Sequence, residues 1–336
     1  MDDLYTKVLS AYERSSPVLA VVGLAIVLYH GLRWLGSAFT MFRAFVAPRF
    51  VGPVVNFKQM GEWAAITGAT DGIGKCYAEQ LAEKGMNIIL LSRNPDKLKR
   101  VATEIEERFR VKTKIVPFNF TNPLQKYEAL KTTLAGYDIG VLVNNVGISH
   151  PSLPLLYVKD QVIEDMIACN IRGAIQMTKF VLPGMVEKGR GVIINNASML
   201  GTMPLPYLST YSGTKACLDF FTRGLQNEFG QKGIIIQSLL PFWVITNMVP
   251  KDWKPTFFTP LADDYVRAAL GTVGVLDRTT GYFPHTIQRW LFSKLSDYQH
   301  YMIMKKALEE ARDKNVKDLE NPNTQAPAFS NSVTKS

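Results

Sequence analysis

Three side chains near the middle of the chain have types and spacing suited to proton transfer at a carbonyl oxygen. Tyr211 and Lys215 are four residues apart, so they share one face of a helix. A nearby ammonium favours a phenolate, and we predict that Lys215 lowers the pKa of Tyr211 from its usual value of about 10. Ser198 can hydrogen-bond the same substrate oxygen. Tyr211 is therefore a candidate proton donor, although this short pattern also occurs on ordinary helix surfaces.

A glycine-rich stretch joins the first predicted strand, 63–67, to the first predicted helix, 72–84. Glycines at this position let the backbone approach a pyrophosphate, and the N-terminus of the helix attracts its charge. Glycines alone are a weak indication of a dinucleotide site, and their position between a predicted strand and a predicted helix makes the indication much stronger. The candidate cofactor residues are Thr67, Gly68, Asp71, Gly72, Ile73 and Gly74.

The second predicted strand, 87–92, ends with Ser92 and Arg93 and has no acidic residue there. An acid at this point would bind a free ribose 2′-hydroxyl, whereas an arginine accommodates a 2′-phosphate. Arg93 thus favours NADPH over NADH, unless it only caps the strand end. Asn145 and Gly147 follow the fourth strand, at the sheet edge expected to face the cofactor.

Strand and helix patterns alternate from residue 62 onward. Short apolar runs with the length of strands occur at 63–67, 87–92, 112–117, 139–144, 192–194 and 233–240, and helical patterns separate them. This alternation predicts an α/β fold, a Rossmann-like, doubly wound parallel sheet with helices on both faces.

The composition limits the possible partners and sites. The chain has 336 residues, a net charge of +9, four histidines and three widely spaced cysteines. No cysteine or histidine spacing fits a metal site or a disulfide framework, and no nucleic-acid-binding motif is present. We therefore predict no metal and no nucleic acid. The positive charge favours a membrane surface or a phosphate ligand, unless it is only an ordinary basic surface.

The N-terminal region contains an apolar run that reaches the length of a membrane span only if it includes His30 and Arg33. A single anchor helix is the preferred interpretation, ahead of a membrane-surface or re-entrant segment and a cleaved signal peptide. Basic residues follow the run, so the main domain is predicted to face the cytosol. The predicted organisation is an N-terminal segment at 1–16, a membrane anchor at 17–46, a linker at 47–61, an NADP-binding reductase domain at 62–285, a helical extension at 286–320 and a disordered tail at 321–336.

Together these motifs resemble the short-chain dehydrogenase/reductase family over about residues 63–280. The resemblance is greatest for its microsomal branch of very-long-chain 3-oxoacyl-CoA reductases and 17-beta-hydroxysteroid dehydrogenases. It implies that Tyr211 is the general acid and that Lys215 binds the nicotinamide ribose. It also implies that Ser198 binds the substrate oxygen and that Asn170 supports a proton-relay water. Asn145 would lie beside the cofactor.

Two further cofactor residues are predicted from this resemblance. Asn119 stands where an aspartate commonly contacts the adenine amine, and an amide oxygen can accept the same hydrogen bond. Thr246 lies in the segment 241–258, which covers the cofactor in this fold. That segment and the apolar residues Met199, Leu200, Met203, Leu205 and Leu208 predict an apolar substrate cleft, unless they only pack together or against a membrane.

The predicted function is NADPH-dependent reduction of a lipid ketone, namely of a long-chain or very-long-chain 3-oxoacyl-CoA to the 3-hydroxyacyl-CoA in fatty acid elongation. A steroid ketone is the alternative, and a membrane scaffold without turnover is a remote one. Lys251 and Lys254 are candidates for contact with a CoA phosphate. The predicted location is the endoplasmic reticulum membrane, with a homodimer or other elongation enzymes as possible partners.

Overall fold

A computed structural model describes residues 2–122, 127–250 and 252–320 of the chain. It divides into two compact units, Met1–Gly52 and Pro53–Ser336. The predicted disordered tail, 321–336, and the predicted CoA contact Lys251 lie outside the described residues.

The first unit is helical. Helix α1, Asp2–Phe45, is 44 residues long, and the short helix α2, Pro48–Val51, follows it. The stretch Ser15–Val51 is long and apolar enough to cross a membrane, with a mean hydropathy of 1.8 and none of its most apolar part buried. Arg33 Nη1 donates a hydrogen bond to Tyr29 Oη at 3.2 Å, so an internal partner satisfies one polar group of this apolar helix.

The second unit is built on a seven-stranded parallel sheet in the order β3-β2-β1-β4-β5-β6-β7. The strands are β1 Trp63–Thr67, β2 Asn87–Ser92, β3 Thr113–Pro117, β4 Ile139–Asn144, β5 Gly191–Asn196, β6 Ile234–Leu239 and β7 Arg278–Thr279. The strand order reverses between β1 and β4, and ligands of such sheets bind beyond the carboxyl ends of the strands at that point.

Helices cover both faces of the sheet. They are α3 Phe57–Met60, α4 Gly72–Glu83, α5 Pro95–Phe109, α6 Tyr127–Ala135, α7 Asp160–Met166, α8 Gly173–Lys188, α9 Ser209–Phe229, α10 Ala262–Gly271, α11 Phe283–Phe292 and α12 Asp297–Glu320. Successive residues of β2 point to opposite faces: Ile88 and Leu90 pack with α4, α5 and α10, whereas Ile89 and Leu91 pack with α6, α8 and α9. The predicted doubly wound parallel sheet is confirmed.

The local sequence explains where these helices begin and end. Asn94 caps α5, because its Oδ1 accepts a hydrogen bond from Lys97 N at 2.9 Å, and Pro95 occupies the first turn. The segment predicted as a linker, 47–61, contains α2 and α3, and the predicted extension, 286–320, holds most of α11 and all of α12. The two-residue strand β7 and one turn of π-helix, Ile167–Arg172, were not predicted.

Candidate active site

The glycine-rich turn between β1 and α4 brings the backbone close to β4. Gly68 has a φ of +68°, which favours glycine, and a Cβ atom on Gly74 would lie 2.2 Å from the Gly68 carbonyl oxygen. The same Cβ would lie 2.4 Å from Asn145 Nδ2. Asp71 caps α4, with its Oδ1 accepting a hydrogen bond from Gly72 N at 2.7 Å. The turn therefore requires small residues and presents the start of α4 to a ligand.

Thr67 and Asn145 hold this turn against the ends of β4 and β5. Thr67 Oγ1 accepts hydrogen bonds from the backbone amides of Asn145, at 2.9 Å, and Val146, at 3.0 Å. Asn145 Nδ2 donates to the Thr67 carbonyl at 3.1 Å, and Asn145 Oδ1 accepts from Asn196 Nδ2 at 2.9 Å. The side chain of Asn145 thus braces the glycine-rich turn beside the predicted cofactor position.

Lys215 lies on α9 and is buried beneath the ends of β4 and β5. Its Nζ donates a hydrogen bond to the Asn196 carbonyl at 2.8 Å. A Cβ atom on Gly147 would lie 3.2 Å from this Nζ, so the glycine leaves room for the amine. Burial lowers the pKa of Lys215 from 10.5 to about 8.

Tyr211 lies one helical turn before Lys215, with the centre of its ring 5.9 Å from Lys215 Nζ. Burial raises the pKa of Tyr211 to about 12, against the opposing effect of its hydrogen bond with Ser198. The prediction that Lys215 lowers this pKa is therefore wrong for this structure. Desolvation of the phenol is the larger of the two effects on this pKa, and the hydroxyl keeps its proton at neutral pH.

Asn170 connects three parts of the site from within the π-helical turn between α7 and α8. Its Oδ1 accepts a hydrogen bond from Ile148 N, and its Nδ2 donates to the Ile148 carbonyl, both at 2.9 Å. The same Nδ2 donates to Thr214 Oγ1 at 3.0 Å. Asn170 therefore fixes the loop after β4 against α9, where Thr214 stands beside Lys215. Thr214 was missed by sequence analysis.

Ser198 follows β5 and starts a short 3₁₀ turn. It is 6% exposed, and its Oγ accepts a hydrogen bond from Leu200 N at 3.1 Å. This contact fixes the hydroxyl, which is near enough to the phenol of Tyr211 to oppose the rise in its pKa. The structure brings the four predicted catalytic residues, Ser198, Tyr211, Lys215 and Asn170, close together.

Arg93 and Asn119 lie at the ends of β2 and β3, on the adenosine side of the predicted cofactor. Arg93 is exposed and makes no ion pair or hydrogen bond with any residue that the structure describes, so its guanidinium is available to a phosphate. Asn119 Oδ1 accepts hydrogen bonds from Thr121 N at 3.2 Å and Thr121 Oγ1 at 2.9 Å. The oxygen predicted to meet the adenine amine is thus already engaged within the chain.

Thr246 lies beside the glycine-rich turn, although β6 and the turn are far apart in sequence. Its Cγ2 would be 3.0 Å from a Cβ atom on Gly72, and both residues line a surface cleft of about 460 Å³. Next to it, Asn247 Nδ2 donates a hydrogen bond to Asp71 Oδ2. Sequence analysis missed Asn247, because no local pattern marks a contact 176 residues away.

The apolar residues predicted to line the substrate cleft form one cluster beside Tyr211. Met199, Leu200, Met203, Leu205 and Leu208 are all buried in it. Phe242 and Trp243, from the segment after β6, pack on the same cluster. Side chains from α11 and α12 complete it, namely Phe292, Met304 and Leu308. The predicted apolar surroundings are present, and the C-terminal helices supply one side of them.

The fold and this site define an oxidoreductase that uses a nicotinamide dinucleotide. The cofactor fits a turn whose glycines leave no room for a Cβ atom, together with a helix N-terminus and an exposed arginine. A protonated phenol beside a buried amine fits the reduction of a carbonyl. The sequence pattern of the short chain dehydrogenases matches residues 62–256. The chain belongs to this family.

Similar proteins carry more specific names. The very-long-chain 3-oxoacyl-CoA reductase of Rattus norvegicus is 43% identical over 302 residues, which cover 84% of this chain and 93% of that protein. The very-long-chain 3-oxoacyl-CoA reductase-A of Danio rerio is 48% identical and covers 71% of this chain and 75% of its own length. A hydroxysteroid dehydrogenase-like protein 1 of Gallus gallus is 39% identical over 303 residues, which cover 86% of this chain and 91% of that protein.

Solved structures agree with the fold. A short-chain dehydrogenase from Sphingobium yanoikuyae, in complex with NADPH, has a TM-score of 0.58 and 29% identity, and covers 62% of this chain and 82% of its own. A 7beta-hydroxysteroid dehydrogenase has a TM-score of 0.69 at 21% identity, and covers 75% of this chain and all of its own, which supports the fold alone.

Proposed function

We propose that this protein reduces the 3-oxo group of a long-chain or very-long-chain 3-oxoacyl-CoA to the 3-hydroxyacyl-CoA, as a step of fatty acid elongation. The observation that carries the proposal is the convergence of Tyr211, Ser198, Lys215 and Asn170 at the carboxyl edge of the sheet. The names of the similar reductases from Rattus norvegicus and Danio rerio support the substrate class.

NADPH is the cofactor. When bound, it supplies a hydride to the carbonyl carbon of the substrate. The glycine-rich turn and the N-terminus of α4 bind its pyrophosphate, and the exposed guanidinium of Arg93 binds its 2′-phosphate. Thr246 closes the cofactor site from the segment after β6.

The catalytic residues act on the oxygen of the substrate ketone. Tyr211 Oη donates its proton to that oxygen as negative charge develops there, and Ser198 Oγ donates a hydrogen bond to the same atom. Lys215 Nζ binds the ribose hydroxyls of the cofactor and returns a proton toward Tyr211. Asn170, buried and held by Ile148 and Thr214, orients the loop after β4 and supports the proton relay.

The apolar cluster around Tyr211 suits a fatty acyl chain, because its burial stabilises the complex by roughly 0.8 kcal/mol per methylene. Lys254 is exposed, as contact with a CoA phosphate requires. A steroid ketone is the second candidate substrate. The name of the Gallus gallus relative and the aromatic members of the cluster favour it.

The proposed location is the endoplasmic reticulum membrane, with α1 as the anchor and the second unit in the cytosol. The apolar stretch Ser15–Val51 supports anchoring, and Arg33, Arg43 and Arg49 toward its C-terminal side support the orientation. Partners within this proposal are a second copy of the chain or other enzymes of fatty acid elongation. Membership of an enzyme family argues against the scaffold alternative.

The test is a Tyr211→Phe variant of the full chain. It removes the proton donor and keeps the ring, so kcat for a long-chain 3-oxoacyl-CoA should fall by at least about 100-fold while NADPH affinity stays unchanged. NADPH oxidation and NADPH fluorescence report the two quantities. The matched control is Tyr77→Phe, because Tyr77 is buried and its hydroxyl has no hydrogen-bond partner in the described structure.

Full activity of Tyr211→Phe would disprove the proposed proton donor. The substrate class is decided by adding a steroid ketone and the acyl-CoA to the same assay and comparing kcat/KM. A larger kcat/KM for the steroid would replace the first candidate by the second.

A further inference from the structure

Helix α12 joins the two loop segments that flank the catalytic residues. Arg312 Nη1 donates a hydrogen bond to Tyr207 Oη at 2.8 Å, and the guanidinium lies 5.1 Å from the centre of that ring. One turn further, Asn315 Nδ2 donates to the Ser152 carbonyl at 3.1 Å. Tyr207 precedes Tyr211 in the chain, and Ser152 follows β4. The C-terminal helix is therefore fastened across the edge of the sheet that holds the site.

The backbone of the first segment is strained where α12 binds it. Tyr207 has a φ of +64°, a left-handed conformation that a tyrosine rarely adopts. Its carbonyl accepts a hydrogen bond from Leu153 N at 3.0 Å, so the two segments are also joined directly. Contacts with Arg312 and Leu153 thus hold Tyr207 in this conformation, shortly before α9 and the catalytic phenol.

The inner face of α12 is apolar where it meets the site. His300, Met304, Leu308 and Arg312 follow one another at four-residue steps and share one face of the helix. Leu308 is only 6% exposed and belongs, with Met304, to the apolar cluster that contains Tyr211. Side chains of α12 therefore belong to the apolar cluster against which the ring of Tyr211 packs.

The position of the ketone determines which part of the substrate meets these side chains. With the 3-oxo oxygen bound by Tyr211 and Ser198, one side of the carbonyl carbon leads to the charged CoA group and the other leads to the alkyl chain. The charged group requires solvent, whereas the alkyl chain gains free energy by leaving water. The apolar side of the site, which α12 closes, is the side available to the alkyl chain.

We propose that α12 forms the distal wall of the acyl-chain pocket and that Leu308 and Met304 determine the accepted chain length. This inference rests on the proposed function, because it requires an acyl-CoA substrate. Met304 is unbranched and adapts its shape, whereas Leu308 sets a firmer limit to the pocket.

The experiment measures kcat/KM of the full chain with NADPH and a series of saturated 3-oxoacyl-CoAs of increasing length. Leu308→Phe should lower kcat/KM for the longest chains by roughly fourfold for each methylene that loses its burial, and should leave the shortest substrates unaffected. Leu308→Ala should shift the preference toward longer chains. Met304→Phe, at a partly buried position, replaces Leu308→Phe if that variant loses its thermal unfolding transition.

The control is Ile303→Ala, on the same helix but 58% exposed, which should keep the wild-type profile. A chain-length profile that stays unchanged in active Leu308 and Met304 variants would overturn the role of α12 and leave the proposed function intact. Inactivity of the wild-type protein toward every acyl-CoA in the series would overturn both, and the wild-type assay alone would reveal it.

Discussion

Burial moves the pKa values of Tyr211 and Lys215 in opposite directions, and both groups keep their protons at neutral pH. The phenol, with a pKa of about 12, is neutral and carries its proton, whereas the amine, with a pKa of about 8, still binds a proton at neutral pH. The four-residue spacing correctly predicted that the two groups are neighbours. It could not predict the direction of the phenol shift, because desolvation depends on side chains distant in sequence.

The buried amine makes stability depend on pH in the absence of cofactor. Below about pH 8, Lys215 is protonated in the folded and the unfolded chain, and the folded protein bears the cost of burying the charge. Between about 8 and 10.5 only the unfolded chain keeps the proton, so the free energy of unfolding should rise with pH. The total gain is at most roughly 3 kcal/mol.

Chemical denaturation of cofactor-free wild-type protein and Lys215→Met at a series of pH values measures this effect. Lys215→Met lacks the titrating amine. Between about pH 8 and 10, the free energy of unfolding of the wild type should therefore rise relative to that of Lys215→Met. Tyr211 affects the pH dependence of the free energy of unfolding only above its pKa in the unfolded chain, about 10, and it does so in both proteins. Parallel curves would show that Lys215 keeps its ordinary pKa in the folded protein.

At the scale of elements, an ion pair connects the edge of the sheet to α9, the helix that bears Tyr211 and Lys215. Arg278 of β7 donates to both carboxylate oxygens of Asp219 on α9, at distances from 2.8 to 3.1 Å. Asp219 is 3% exposed and also accepts from Ser238 Oγ of β6 at 2.5 Å. Three elements, α9, β6 and β7, thus meet at one carboxylate.

Replacing Arg278 by alanine leaves that carboxylate buried with one remaining donor. The free energy of unfolding should fall by about 2–4 kcal/mol, less than for a fully buried pair, because the guanidinium is partly exposed. The control is Arg267→Ala, whose pair with Asp263 is exposed at the surface and should contribute less than about 1 kcal/mol. Equal effects in thermal or denaturant unfolding would contradict the structural role of Arg278.

The long elements were predictable from sequence, and the short ones were not. Strands such as β1 and β4 are continuous apolar runs, and their observed bounds agree with those predicted. Strand β7 has two residues, Arg278 and Thr279, whose pairing depends on β6 rather than on a local pattern. The glycine-rich turn and the grouping of Ser198, Tyr211, Lys215 and Asn170 could be predicted, because the proposed chemistry demands fixed residue types. The contacts of Asn247 and Thr214 depend on the tertiary fold.

The described chain consists of an apolar helical unit and an α/β unit that contains the hydrophobic core. The first ends at Gly52, and the second begins at Pro53. The most apolar part of the first unit is not buried by protein, whereas the core of the second is closed on both faces of its sheet. The proposed function therefore assigns membrane attachment to the first unit and catalysis to the second.

Deleting residues 1–52 should release the protein from membranes and leave NADPH binding intact. After an alkaline wash, the full chain should remain in the membrane pellet, and the shortened chain should appear in the supernatant. The full chain with Tyr211→Phe serves as the control, because it changes chemistry without changing attachment. A shortened chain that stays in the pellet would show that the second unit has a membrane contact of its own.

The π-helical turn at Ile167–Arg172 has a consequence for how this sequence can vary. A π turn holds one more residue than an α turn, so losing a single residue there would restore regular pitch between α7 and α8. The helix would become more regular, but Asn170 would rotate by about 100° around the helix axis and lose its hydrogen bonds with Ile148 and Thr214. We therefore expect this segment to tolerate substitutions more readily than the deletion of a residue.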